Sequence, residues 1–256
     1  MAQDGLPDKR MQPVTRPGSP CAAQMEGLMD DLRPLLEESG KRHSHLCPRL
    51  VLGVRMALAG ALALGLEIPR QDKGLLVIAE TDGCFLDGLA VTAGVSPGHR
   101  TLRIEDYGKV AATFVDVQTG AATRLAPRPD VRVRARDYAP GETSHYFAQL
   151  TGYQIMPDHE LFSMTPVVLR TPVADLISRA GVRTTCAVCG EEIINEREIM
   201  VDGMAYCRSC CGPTYYQVTA SAMQGFGGVP WVDLSEAWCE PRGFALASSE
   251  NQLTFG

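Results

Sequence analysis

From Met25 to Glu38 apolar residues recur at helical spacing, with Met25, Leu28, Met29, Leu32, Leu35 and Leu36 on one face and Gly40 ending the run. That pattern predicts an amphipathic helix. The next run, Leu50 to Leu66 (LVLGVRMALAGALALGL), is apolar almost all round, which predicts a helix enclosed by protein on every side. It is about one turn short of the roughly 20 residues that span a bilayer. It also carries Arg55 and runs into charged residues and Pro69, so a buried helix is expected and not a membrane span. Pro48 suits the first helical turn, where its missing N–H would have had no partner, and Cys47 is thereby placed at the helix N-terminus.

Leu75 to Thr81 (LLVIAET) is an apolar run of strand length, broken by Asp82-Gly83, and a turn-to-helix segment opens at Cys84-Phe-Leu-Asp87. After the loop Gly94-Val-Ser-Pro-Gly98, Thr101–Ile104 and Lys109–Val117 read as strands. The turn Gln118-Thr119-Gly120-Ala121 then makes a hairpin with Ala122–Leu125. Val131-Arg-Val-Arg-Ala-Arg136 alternates strictly and predicts a half-buried strand, its arginines forming a solvated face or, less often, an anion-binding stripe. Ser144–Leu150 and Asp158–Phe162 predict short helices, the second capped by Asp158. Pro166–Leu169 adds a last strand, and Thr171-Pro172 opens a helix that stops at Gly181. Strands clustered between helices predict an α+β class: a mixed or antiparallel sheet with flanking helices over residues 22–180.

The chain has 256 residues, 45% hydrophobic and 21% charged, enough for one sizeable core plus a small appendage without disulfides. Residues 1–21 hold three prolines and no apolar leader segment and read as a flexible tail, while Thr214–Gly256 shows no sustained period. A net charge of −6 opposes a general nucleic-acid or anionic-membrane role. Nine cysteines without a secretory leader imply a reducing, cytoplasmic setting in which thiols bind metal or do chemistry; Cys21 and Cys239 read as unpaired tail thiols.

Cys186-Ala-Val-Cys189-Gly190 and Cys207-Arg-Ser-Cys210 are two C-x-x-C pairs at zinc-module spacing, in a segment running from 184 to 213. Four thiolates around a tetrahedral Zn2+ leave no open position, so the site is expected to be structural. The intervening sequence reads as a hairpin around Asp202-Gly203, the content of a zinc ribbon or treble clef. Cys211 could replace Cys210 by a local shift, but Cys210 keeps the paired spacing. Glu191, Glu192, Glu196 and Glu198 outnumber Arg197 and Arg208, which repels phosphate and leaves protein docking or domain capping as the expected role.

A second chemistry gathers upstream. His43, His45 and Cys47 directly precede a helix whose N-terminal N–H groups favour negative charge, so Cys47 is expected to ionise readily. A thiolate there serves as a soft metal ligand, or as a nucleophile with His45 or His43 as base. Cys84 and Asp87 open the segment after the apolar strand, and folding the two segments together would give a His/Cys/Cys/Asp cluster. The bland alternative is a buried cysteine and an aspartate that caps a helix.

His43-Ser-His-Leu-Cys-Pro-Arg-Leu-Val-Leu-Gly-Val-Arg-Met, Glu80-Thr-Asp-Gly-Cys84-Phe-Leu-Asp87-Gly and Asp106-Tyr-Gly-Lys109-Val-Ala, in that order, resemble the FmdE family of proteins linked to formylmethanofuran dehydrogenase. Glu160-Leu-Phe162 and the C-x-x-C-Gly-Glu module are similar to its longer, zinc-finger-bearing members, so the resemblance covers roughly residues 24–212. It implies a homodimeric α+β domain with a metal-binding cleft, and it carries over His45, Cys47, Cys84, Asp87 and Lys109 as site residues. It also implies a partner in a molybdenum- or tungsten-dependent redox enzyme of one-carbon metabolism.

The chain departs from the family pattern at Ser44 and Arg49, and its loop Gly94-Val95-Ser96-Pro97-Gly98-His99 lacks the thiol and amine usual there, with His99 as a possible substitute ligand. The leading expectation is therefore an FmdE-like accessory metalloprotein with a structural zinc at Cys186, Cys189, Cys207 and Cys210 and a second metal at His45, Cys47 and Cys84. Asp87 is expected there as ligand or orienter. The alternatives are an enzyme using Cys47 as nucleophile and an interaction scaffold docking through the zinc module.

Overall fold

In the computed structural model, which describes residues 32–216 apart from 42, 44, 178 and 213, the chain divides between Val173 and Ala174 into two units. The expected tail 1–21, the start of the Met25–Glu38 helix, Cys21, Cys239 and residues 217–256 lie outside the described residues.

The first unit opens with α1 (32–41), followed by α2 (Pro48–Ala63), the predicted apolar helix. Twelve residues of α2, on every side of the helix, are buried. Leu50, Val51, Val54 and Met56 have no exposed surface, and each such side chain contributes about 1.5–3 kcal/mol over its exposed state. Arg55, 3% exposed, is the exception to the apolar pattern. It donates to the carbonyls of Tyr153 (2.9 Å), Gln154 (2.8 Å) and Met156 (2.7 Å) and to Asp158 Oδ1 (2.7 Å). Its charge is thus spent on the carbonyls at the end of α5 (His145–Ile155), where a cation also suits the helix dipole. No described helix is long and apolar enough to cross a membrane.

The sheet has five strands in the order β2-β1-β3-β4-β5: β1 (Leu75–Ala79), β2 (Leu102–Ile104), β3 (Ala112–Asp116), β4 (Ala122–Pro127) and β5 (Phe162–Val167). β1 and β2 run parallel, joined through α3 (Cys84–Ala93), and the other pairs are antiparallel, which is the mixed sheet of an α+β fold.

Helices α2 and α3 cross at two glycines. A Cβ on Gly53 would lie 2.1 Å from the Phe85 carbonyl oxygen, and one on Gly88 would lie 2.3 Å from that of Leu50. Backbone thus meets backbone in the first turns of both helices, which brings the segments around Cys47 and Cys84 together. On the sheet side, a Cβ on Gly60 would strike the Phe114 ring at 2.4 Å.

Four local expectations change. Val131–Arg136 is not a strand: α4 (Val131–Arg134) is a short helix, with Val131 and Ala135 buried and Val133 73% exposed. Residues 131 and 135 share a face at both helical and strand spacing, and Pro129-Asp130 starts a turn that a strand would not need. The arginine stripe is consequently split, Arg134 pairing with Glu160 and Arg136 with His145. Asp158 leads α6 (Asp158–Leu161) without capping it, because its carboxylate serves Arg55. The last strand begins at Phe162, earlier than Pro166, and its place at the sheet edge tolerates Pro166. The helix after Pro172, α7 (Val173–Ile177), ends before Gly181.

The second unit contains the hairpin β6 (Arg183–Thr185) with β7 (Glu192–Ile194), the hairpin β8 (Ile199–Val201) with β9 (Met204–Tyr206), and α8 (Arg208–Cys211). The predicted turn at Asp202-Gly203 links β8 to β9.

Candidate functional site

In the second unit Cys186 and Cys189 sit on the turn between β6 and β7, where the Gly190 amide donates to the Cys186 carbonyl at 3.0 Å. Gly190 has φ +73°, a conformation that a side chain disfavours. Cys207 precedes α8 and Cys210 lies within it. The four sulfurs all lie within 4.8 Å of one another, and Cys189 and Cys207 are 3.8 Å apart. Sulfurs bound at about 2.3 Å to a tetrahedral zinc are separated by about 3.8 Å, so this donor set fits that ion. A knuckle, a hairpin and a short helix carrying the last ligand correspond to the treble-clef alternative.

At Cys186 burial opposes ionisation, but the amides of Cys207 (3.3 Å), Cys189 and Val188 outweigh it and bring the thiol down to about 6. Burial and neighbouring thiols push Cys189 and Cys210 up. Cys211 stands outside the set of four.

The other site lies in the first unit, at the start of α2. Cys47 is the N-cap residue, and its sulfur accepts from the Leu50 amide at 3.4 Å. The ligand atoms of His43, His45 and Cys47 lie within 4.8 Å of one another. The two imidazoles are tilted at 49° with centroids 5.0 Å apart, His43 half-buried and His45 exposed. His43 Nδ1 is 3.0 Å from Asp87 Oδ2, on the first turn of α3.

Cys84, the first residue of α3, stands outside the tight set of three but close enough to Cys47 to act on its thiol. The expected set His45, Cys47 and Cys84 is therefore corrected, with His43 in the place given to Cys84. Nothing in the spacing pairs position 43 with position 87, so the sequence pointed to His43 only as one of two candidate bases. Burial pushes the Cys47 thiol above its usual range, the Leu50 amide opposes that, and the Cys84 thiol adds to it. This reverses the expectation of an easily ionised Cys47, which considered the helix start and left out desolvation.

Lys109 is held by its backbone amide to the Glu80 carbonyl (3.1 Å), but its side chain is exposed and pairs with none of the described residues. The Glu80 carboxylate is taken by Arg124, at 2.7 Å through Oε2. Val95 is packed in the core and His99 is exposed, so neither supplies a ligand to the cluster. Tyr146, which donates to the Leu46 carbonyl at 3.2 Å, and Phe147 form an edge-on exposed pair next to the Cys47 segment.

Comparison with known proteins agrees with this architecture. Residues 42–163 match the family described as "FmdE, Molybdenum formylmethanofuran dehydrogenase operon". A "Probable S-adenosyl-L-methionine-binding protein" of Archaeoglobus fulgidus is 24% identical over 261 aligned positions, covering 89% of this chain and 67% of that protein. The crystal structure of an FmdE-like protein of tungsten formylmethanofuran dehydrogenase, from Syntrophus aciditrophicus, covers 72% of this chain and 94% of its own, with a TM-score of 0.46 and 19% identity. Residues 42–163, which hold His43, Cys47, Cys84 and Asp87, thus form an FmdE domain, and the chain is an FmdE-family protein that carries a separate four-cysteine cluster after it.

Proposed function

We propose that the protein is a metal-binding accessory factor with two different ion sites. Cys186, Cys189, Cys207 and Cys210 hold a structural zinc, and the cluster at the start of α2 holds a second ion through His43, His45 and Cys47. The observation that carries the second site is the convergence of two imidazoles and a thiol within 4.8 Å, a mixed nitrogen and sulfur donor set suited to zinc. Three protein ligands leave a coordination position open, and an ion there would supply Lewis acidity to whatever binds.

The family's description ties it to the operon of a molybdenum formylmethanofuran dehydrogenase. That supports a partner among molybdenum- or tungsten-dependent redox enzymes, in the cytoplasm and with the chain as a homodimer. A buried thiol pushed upward in pKa gives less support to Cys47 as a free nucleophile.

Metal analysis of the purified full chain tests the proposal. Two ions per chain are expected, falling to one in Cys47→Ala with the four-cysteine site intact. One ion per chain, unchanged by Cys47→Ala, would overturn the second site.

A further inference from the structure

His43 and Asp87 come from different segments, yet Nδ1 of the ring lies 3.0 Å from a carboxylate oxygen. A carboxylate accepts, so Nδ1 holds the proton and Nε2 keeps its lone pair. His45 has no such fixed aim toward Asp87: it is exposed, and its backbone amide donates to the His43 carbonyl at 2.7 Å. We infer that Asp87 is a positioning residue and not a ligand. It holds His43 in the Nδ1–H form with Nε2 presented to the ion of the His43, His45 and Cys47 site, which makes His43 the fixed imidazole of that site. The inference rests on the reading of this cluster as a metal site.

Three observations support the role. Asp87 stands outside the set of ligand atoms that converge within 4.8 Å. It lies in the first turn of α3 but makes no capping hydrogen bond to that helix, so its carboxylate is not engaged in ending a backbone ladder. Its backbone is held against α2 at Gly88, where a Cβ would meet the Leu50 carbonyl at 2.3 Å, so the carboxylate projects from a clamped element.

The His43 and Asp87 side chains are 23% and 38% exposed. Water screens such a pair, so its main contribution is orientation. A carboxylate on the remote nitrogen of a ligating imidazole also raises its basicity, and loss of such a partner weakens metal binding by about 10–100-fold.

The experiment uses the full chain, loaded with Co2+ and separately with Zn2+, and measures second-site affinity by competition with a chromophoric chelator. Asp87→Ala is expected to weaken that site by about 10–100-fold. Asp87→Asn, whose amide oxygen can still accept from Nδ1–H when Nε2 binds the ion, should lose much less and keep the wild-type Co2+ ligand-field bands. His43→Ala should cost more affinity than His45→Ala.

Equal losses in Asp87→Asn and Asp87→Ala with shifted bands would make Asp87 a ligand and overturn the inference, as would unchanged affinity in Asp87→Ala. A second measurement needs no variant to fold: long-range 1H–15N spectra of the metal-free protein should show His43 as the Nδ1–H tautomer, and an Nε2–H signal would overturn the assignment. Wild-type protein that takes up only one ion would fail at the earlier step, showing that the metal reading itself is wrong.

Discussion

The sulfur of Cys47 receives the Leu50 amide but sits in the core, 6% exposed. The amide favours the thiolate and burial disfavours it, with burial the larger influence. Coordination resolves such a conflict, because a bound ion deprotonates a thiol outright. The same competition governs two phenols. Burial pushes Tyr153 up to about 12, and burial together with the hydrogen bond to Glu160 (2.7 Å) pushes Tyr138 to about 12.

Both phenols have a folded pKa above the unfolded value of about 10. The native state therefore holds their protons more tightly. The resulting stabilisation is complete below about pH 10 and is lost as pH rises toward about 12. Tyrosinate absorbance followed alongside unfolding should show two late-titrating phenols that ionise as the protein loses structure. Titration of every tyrosine near the free value, with the fold intact, would contradict this.

At the level of elements, the site depends on how closely α2 and α3 approach. Gly53→Ala and Gly88→Ala each place a methyl group against backbone that cannot rotate away, at 2.1 Å and 2.3 Å. Overpacking of this kind costs about 1–3 kcal/mol or more. A lower denaturant midpoint is expected for each, together with weaker metal binding at the His43 and Cys47 site as the helices separate. Gly40→Ala in α1 is the control: a Cβ there meets nothing within 4 Å, and the change should stabilise by about 0.5–1 kcal/mol. Wild-type midpoints in Gly53→Ala and Gly88→Ala would show that the crossing is not tight. The misread segment at Val131–Arg134 belongs to this scale too, since packing settled which of two compatible periods it adopts.

At the scale of the whole molecule, the two units rest on different sources of stability. The first has a continuous core that includes α2, β1 and β3. In the second, Cys186 and Ile193 are the buried hydrophobic residues among those described, and its strands are three residues long. So small a core folds chiefly through its metal. Chelator added to the full chain should unfold the second unit, seen as rapid proteolysis beyond Ala174, while a fragment containing the first unit persists. Equal resistance of both units with and without chelator would contradict this dependence.

The apolar run of α2, the strand at Leu75–Ala79 and the paired cysteines at 186, 189, 207 and 210 were legible in the sequence because each is a local pattern whose physics is set within a few neighbours. The same holds for Cys47 at a helix start, which Pro48 announces. What only the tertiary structure decided was pairing between distant segments: His43 with Asp87, Arg55 with the end of α5, and Glu80 with Arg124. Residue type and spacing along the chain carry no record of such partners. They are set by the approach of α2 to α3 through two glycines and by the order of strands in the sheet.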